Sequence, residues 1–210
     1  MIGRTAAANG WPTVLRGRLL DGARIRLRPL ERADQDAFLR LRRDNATWLR
    51  PWDPTSPESV PTRTYAEYVR SLRRAARAGT SLPFVIEVDH RLVGQITGTV
   101  QRGSYQSCSV GYWVERRSAG RGIAPMAVAL LAEHAFEQLG LHRLELDIRP
   151  DNAPSLAVAR KLGLRQEGLR RRLLHIDGAW RDHLSFAVTA EEVAEHGLVH
   201  RLNHQQHQSL

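Results

Sequence analysis

The chain has 210 residues, 42% hydrophobic and 25% charged, which suits one soluble domain with a buried core and excludes a disordered or fibrous chain. No stretch approaches the ~18 consecutive apolar residues of a membrane span, the N-terminus lacks the apolar core of a signal peptide, and the single cysteine, Cys108, excludes an internal disulfide, so a cytoplasmic location is expected. The formal charge is +9, and Lys161 is the only lysine among 31 basic residues, so the surface is arginine-rich, solvated, and suited to an anionic partner such as a phosphorylated coenzyme, an acidic peptide or rRNA.

Residues 1–20 read as a loose arm leading into a first strand. Ile25-Arg26-Leu27 alternates and stops before Pro29, as a short strand does. Asp34 can cap a helix carrying Ala37, Phe38 and Leu41 on one face. The segment from Asn45 to Pro57 is too rich in proline and tryptophan for a long helix. Tyr65, Val69, Leu72 and Ala76 mark a second helix that stops at Gly79. Three strands follow, Phe84–Val88, Leu92–Val100 and Ser107–Val114, then a long helix, Gly122–Leu139, closed by Gly140. Leu144, Leu146 and Ile148 alternate as a strand, and Asn152–Leu162 is a short helix. Leu169–His175 and Ala179–Val188 form a hairpin around Asp177-Gly178. The main domain is therefore 21–190, and 191–210 reads as a polar tail, His/Gln-rich and frayed from about 197. His196, His200, His204 and His207 fall on one helical face, but in such a tail they read as solvated, and no metal is expected. The order predicts a mixed α/β (α+β) sheet with one parallel crossover between Ser107 and Ile148.

At the strand-to-helix junction lies Arg116-Arg117-Ser118-Ala119-Gly120-Arg121-Gly122-Ile123-Ala124. Two glycines here let backbone N–H groups turn toward one point. The following helix N-terminus adds unpaired donors and the positive end of its dipole, typically ~0.3–1 kcal/mol for one anionic group. Arg117 and Arg121 supply formal charge. The loop lacks the Lys-Ser/Thr of a Walker motif and the first glycine of a dinucleotide fingerprint.

Arg117-x-x-Gly120-x-Gly122 resembles the coenzyme signature of the GNAT acetyltransferases. Gly111-Tyr-Trp-Val114 before it, and Asn152-Ala-Pro-Ser155 with Arg160-Lys-Leu-Gly-Leu164 after it, fit the same family. Arg26-Leu-Arg-Pro-Leu30 and Trp48-Leu-Arg-Pro-Trp52 resemble its RimJ/RimL branch, whose members acetylate N-termini of ribosomal proteins. The resemblance spans about residues 22–190. It implies a central, mostly antiparallel sheet splayed around acetyl-CoA, flanked by helices. It implies that the Val114 N–H polarises the thioester carbonyl. It implies pyrophosphate on the backbone of Gly120, Arg121, Gly122, Ile123 and Ala124, and Asn152 on the pantetheine arm. Ser155 matches the serine that protonates the leaving thiolate; other branches place a tyrosine near Ala159, and none stands there. Asn152 and Ser155 also suit a plain helix cap and first turn. Trp48 and Trp52 would wall the acceptor site, or pack the early helices on the sheet.

One position departs from the branch. Aligning on Asp177-Gly178 puts Leu174 where the branch carries a glutamate base, and alternation turns the neighbouring His175 to the other face. Glu87, Glu115 and Asp182 are further strand carboxylates. A general base typically contributes ~10²–10⁴. An α-amine, with pKa ~7.7–8.0, is about a quarter neutral at about pH 7.4, whereas a lysine amine, at ~10.4, is neutral about one part in a thousand. A missing base therefore favours an α-amino acceptor, such as a ribosomal-protein N-terminus, served by a monomer or homodimer. The alternatives are a polyamine or aminoglycoside acetyltransferase and a non-catalytic acyl-CoA-binding regulator. No RNA-binding signature appears, and Cys108 has no sequence partner for an acyl-cysteine route.

Overall fold

A computed structural model describes residues 11–58, 63–193 and 195–207, with side chains through His204. One sheet runs in the order β1 (Leu15–Arg18), β2 (Arg24–Arg28), β3 (Ser81–Val88), β4 (Arg91–Gln101), β5 (Ser107–Val114), β6 (Arg143–Ile148), β8 (Ala179–Thr189), β7 (Arg165–Ile176). Every neighbouring pair is antiparallel except β5 and β6, the two ends of the crossover. This is the mixed, mostly antiparallel α/β architecture expected from the element order. The β7–β8 turn is the two-residue Asp177-Gly178, both with positive φ (46° and 77°), the type I′ geometry that Asp-Gly favours.

Both faces of the sheet are covered, and β3 shows the consequence. All its residues after Ser81 are buried. Leu82, Phe84, Ile86 and Val88 enter the main core, while Val85 enters a second cluster with Leu30, Phe38, Tyr65 and Val69. That second cluster is built by α1 (Gln35–Asp44) and α3 (Tyr65–Arg77), the latter opened by a Thr64/Glu67 capping box. Burying Phe38 or Val69 there stabilises by about 1.5–3 kcal/mol each. Between α1 and α3 lies the single turn α2 (Ala46–Leu49).

The opposite face carries α4 (Ile123–Glu133), which buries every residue from Pro125 to Ala132. A helix that is apolar all round needs cover on both sides. The sheet covers one, and α7 (Gly197–His207) covers the other, its Leu198 and Leu202 lying in the main core. This corrects the expectation of a frayed end from about 197, as far as the described residues 197–207 go; residues 208–210 lie outside them. The polar composition of that segment is real, but its leucines recur at helical spacing and dock on α4, and the Glu133 carboxylate accepts the Val199 N–H at 2.9 Å. The arm over 1–20 also shortens from the inside: Trp11 and Leu15 pack on the core and β1 joins the sheet, while residues 1–10 lie outside the described residues. α5 (Ala153–Lys161) packs on α4 and β6, and α6 (Ala190–Val193) follows β8.

Arg28 holds the early helices to the sheet. It donates to Glu87 on β3 and to both oxygens of Asp34, each at 2.8 Å, and Arg26 adds a second ion pair to Glu87 at 2.6 Å. Burial alone pushes both carboxyls up; the facing guanidinium of Arg28 outweighs it and leaves both below their ordinary values.

Candidate active site

β5 and β6 pair only from Ser107↔Arg143 to Ser109↔Glu145, and then separate. Beyond that point β5 is held by β4 alone. The Glu115 N–H donates to the Val93 carbonyl at 2.8 Å, so Val114 beside it turns its own N–H and C=O to the opposite edge, into the gap. Tyr112 does the same one period earlier. A cleft of about 840 Å³ fills the gap, running from the glycine loop and α5 to the tryptophans after α1. A smaller hollow of about 450 Å³ lies at the β1–β2 edge among Arg16, Arg18 and Arg24 and shares no lining residue with the cleft.

The loop at one end of the cleft has the predicted backbone. Gly120 and Gly122 sit at φ 82° and 77°, left-handed values that glycine takes without strain. Gly122 caps α4 and no side chain satisfies its first turn. Met126 donates to the Gly122 carbonyl and residue 125 is proline, so the N–H groups of Gly122, Ile123 and Ala124 are the orphan donors, and all three residues line the cleft. The loop is braced from behind. Buried Glu115 pairs with Arg91, Ser118 donates to Glu115 at 2.7 Å, and Asn45 accepts the Arg116 N–H at 2.9 Å.

The formal charge does not come from the expected side chains. Arg117 and Arg121 are exposed and neither lines the cleft. Arg121 instead binds Asp21 at 2.6 Å, and that hydrogen bond holds the Asp21 carboxyl below its usual value. The cation that does line the cleft is Lys161, from the last turn of α5.

Asn152 and Ser155 both line the cleft at the start of α5. The Asn152 side-chain oxygen accepts the Ser155 N–H at 3.2 Å, which is the cap, and its amide nitrogen makes no hydrogen bond among the described residues. The sequence reading missed Tyr112. Its hydroxyl is buried, has no well-formed hydrogen bond, and lies against Ser155. Burial pushes the phenol up to about 12, against a smaller opposing effect of the Ser155 contact. Ala159, where a tyrosine stands in other branches, is fully buried; of the two tyrosines that line the cleft, Tyr68 on α3 is bonded to the Gln95 side chain, and Tyr112 on β5 is the one against Ser155. Its only sequence signal is strand alternation, which sets Tyr112 and Val114 on one side and Trp113 on the other.

At the far end, Trp48 and Trp52 both line the cleft, and Trp48 donates its indole N–H to the Val114 carbonyl at 3.1 Å. The segment after them is sewn to the β7–β8 hairpin: Thr55 donates its N–H to the His175 carbonyl at 2.8 Å, and its hydroxyl meets His175 Nδ1 at 2.7 Å. The His175 ring also packs edge-on to Trp180 and does not line the cleft. Nor does Leu174, which is exposed. In β7, Arg171, Arg172 and Leu173 oppose the single residue Asp182, a bulge with Arg172 at φ 49°; its two extra residues preserve the alternation, and the register from Leu174↔Arg181 to Ile176↔Ala179 is regular, so Leu174 and His175 face opposite sides as expected. Of the strand carboxylates, Glu87 and Glu115 are tied to arginines and Asp182 accepts the Arg172 N–H; none lines the cleft. Arg170 pairs with Asp147 at 2.8 Å, and the run Arg170–Arg172 faces solvent. Cys108 is buried outside the cleft, with its thiol pushed up to about 12 by burial, an unreactive state. The His196, His200 and His204 rings stack along α7, and no group of three His, Cys, Asp or Glu residues is arranged for a metal ion among the described residues.

Residues 24–165 match the family described as Acetyltransferase (GNAT) domain. The chain is 30% identical over 176 residues to "Probable N-acetyltransferase YjcK" of Bacillus subtilis, covering 81% of this chain and 96% of that protein. It is 27% identical over 154 residues to "[Ribosomal protein uS5]-alanine N-acetyltransferase" of Escherichia coli, covering 71% and 79%. Among solved structures, Mycobacterium smegmatis RimJ in complex with CoA-disulfide superposes with a TM-score of 0.87 at 40% identity, covering 94% of this chain and 96% of that one.

Proposed function

This chain belongs to the GNAT acetyltransferase family, and we propose that it transfers the acetyl group of acetyl-CoA to the α-amino group of a protein N-terminus, ribosomal proteins being the class its relatives suggest. The observation that carries the acceptor class is the cleft itself. Among the described residues its lining holds one carboxylate, Asp53, bound to Arg42, and no histidine or glutamate. An amine that is partly neutral near pH 7 can react there by losing its proton to water; a lysine amine, about 250-fold scarcer in neutral form, would need a dedicated base.

In this reading the coenzyme's pyrophosphate sits on the orphan N–H groups of Gly122, Ile123 and Ala124, joined by the Gly120 and Arg121 amides, with Lys161 near the same end. The donor set suits an anion, and the unpaired edge of β5 suits an extended, amide-bearing arm. Asn152 offers its free amide nitrogen to that arm. The Val114 N–H meets the thioester carbonyl and stabilises the negative charge that develops as the amine attacks. Ser155, backed by the protonated Tyr112 phenol, gives a proton to the departing sulfur. The amine nitrogen forms the new bond to the acetyl carbon, the carbon–sulfur bond breaks, and CoA leaves as the thiol. Trp48 and Trp52 wall the amine's approach and exclude water.

Release of free thiol from acetyl-CoA with a lysine-free peptide bearing a free N-terminus tests the reading. Turnover is expected; turnover with spermidine or an aminoglycoside and with no N-terminal peptide contradicts it.

A further inference from the structure

We propose that Asp53 captures the acceptor amine in its positively charged form, before that amine gives its proton to water, and that the lack of a second carboxylate in the cleft lining restricts the acceptor to an amine with no second cation nearby. The inference rests on the amine-acetyltransferase reading above and deepens it.

The cleft is electrically polar along its length. Its one lining lysine, Lys161, stands at the loop end, and its one lining carboxylate, Asp53, stands at the tryptophan end. Asp53 follows Trp52 directly, in the segment that Trp48 anchors to Val114. An amine in front of the Val114 edge therefore has one anion in its own half of the cleft. Arg42 orients that anion, donating through Nη2 to Oδ2 at 2.6 Å and more weakly through Nη1 to Oδ1 at 3.4 Å. Arg42 is itself seated over the Trp113 ring at 5.0 Å. A carboxylate offers about four acceptor sites, so the Oδ1 side retains room for an ammonium donor. The Asp53 side chain is 33% exposed, enough for a ligand to reach.

The surround sets the limit. Arg149 lies over the Trp52 ring at 5.2 Å with its charge paired to Asp151, Arg42 already balances the charge of Asp53, and Asp53 is the one carboxylate in the lining among the described residues. One incoming ammonium gains a charge-assisted bond; a second positive charge on the same molecule would find no further carboxylate in the lining and would lose its hydration uncompensated. A polyamine or aminoglycoside carries several such charges, whereas a peptide N-terminus followed by neutral or acidic residues carries one.

The test compares two peptides of identical sequence, one with a free α-amino group and one with that group replaced by hydrogen, titrated into protein saturated with CoA, where no reaction can occur. Wild type is expected to bind the amine peptide at least tenfold more tightly. Asp53→Asn should erase the difference with CoA affinity unchanged, and Asp53→Glu should restore most of it, a pattern that simple damage to the wall would not give. A lysine at the second position should weaken wild-type binding severalfold and an aspartate should not. Equal binding of the two peptides by wild type, or discrimination that survives in Asp53→Asn, overturns the inference. The same wild-type preparation is assayed with acetyl-CoA: turnover of the amine peptide alongside failed discrimination removes Asp53 alone, whereas no turnover removes the acetyltransfer reading beneath it.

Discussion

The indole N–H of Trp48 donates to the carbonyl of Val114 across 3.1 Å, tying the acceptor wall to the strand residue whose own N–H faces the gap between β5 and β6. One hydrogen bond of this kind is worth about 1 kcal/mol net, about fivefold in rate if it is felt only in the transition state. Trp48→Phe keeps a ring in the wall and removes the donor. Its kcat should fall about three- to tenfold while acetyl-CoA affinity stays within about twofold, read by steady-state kinetics and by coenzyme titration.

The glycine loop predicts a contrast among cations. Lys161→Gln should weaken acetyl-CoA binding about three- to tenfold and lessen its salt dependence, because Lys161 lines the cleft. Arg117→Gln and Arg121→Gln should change it less than about twofold, since neither side chain reaches the cleft and Arg121 is bound to Asp21. Gly122→Trp should cost at least tenfold in coenzyme affinity with unchanged far-UV circular dichroism, through a side chain at the donor cluster and a left-handed φ of 77°. Titration calorimetry of the four variants checks all of these.

Ser155 and Tyr112 should act in kcat. Ser155→Ala is expected to lower kcat about 10–100-fold with acceptor KM little changed. Tyr112→Phe should lower it by a smaller factor that is constant from about pH 6 to pH 9, because the phenol, pushed up to about 12, stays protonated throughout. A Tyr112→Phe effect that disappeared across that range would contradict its role as a standing donor.

Much of the fold was legible because its signals are local. Asp-Gly at 177–178 and the glycine pair at 120 and 122 demand particular backbone geometries, and both have them. β5 keeps the span Ser107–Val114 read from its alternation. What the sequence hid depends on partners distant in the chain. Nothing local shows that Arg121 binds Asp21, or that a His- and Gln-rich terminus carries two leucines into the core. The all-round apolarity of α4 was the available signal that a second layer covered it. Counting back from Asp177-Gly178 does set Leu174 and His175 on opposite faces, because the register between the turn and the bulge opposite Asp182 is regular; that neither lines the cleft depends on where the hairpin sits, which no local signal shows. Asp53 lay in a proline-rich loop with no period to read.

The buried ion pairs make stability depend on pH. Glu87 and Asp34 have folded values below their ordinary ones of 4.5 and 3.8, so their contribution is complete above those values and is lost as pH falls through the lower folded ones. His134 and His183 are pushed below the ordinary histidine value of 6.5, in both cases chiefly by burial. Their contribution is therefore also complete above about 6.5 and is lost as pH falls further. Urea midpoints should drop from about pH 7 to pH 5 through the histidines, and again below about pH 4.5 through the carboxylates. Arg28→Met, which leaves partly buried Asp34 without its ion pair and Glu87 with Arg26 alone, should cost about 1.5–3 kcal/mol at neutral pH and flatten the acid limb.

The central claim, transfer to an α-amine, is tested most directly on one peptide that carries both a free N-terminus and an internal lysine. After incubation with acetyl-CoA and the protein, tandem mass spectrometry locates the added acetyl group. The account predicts it on the N-terminal nitrogen alone. Acetyl on the lysine nitrogen, or none on a peptide set varied at its first residues while acetyl-CoA binds tightly, would contradict it.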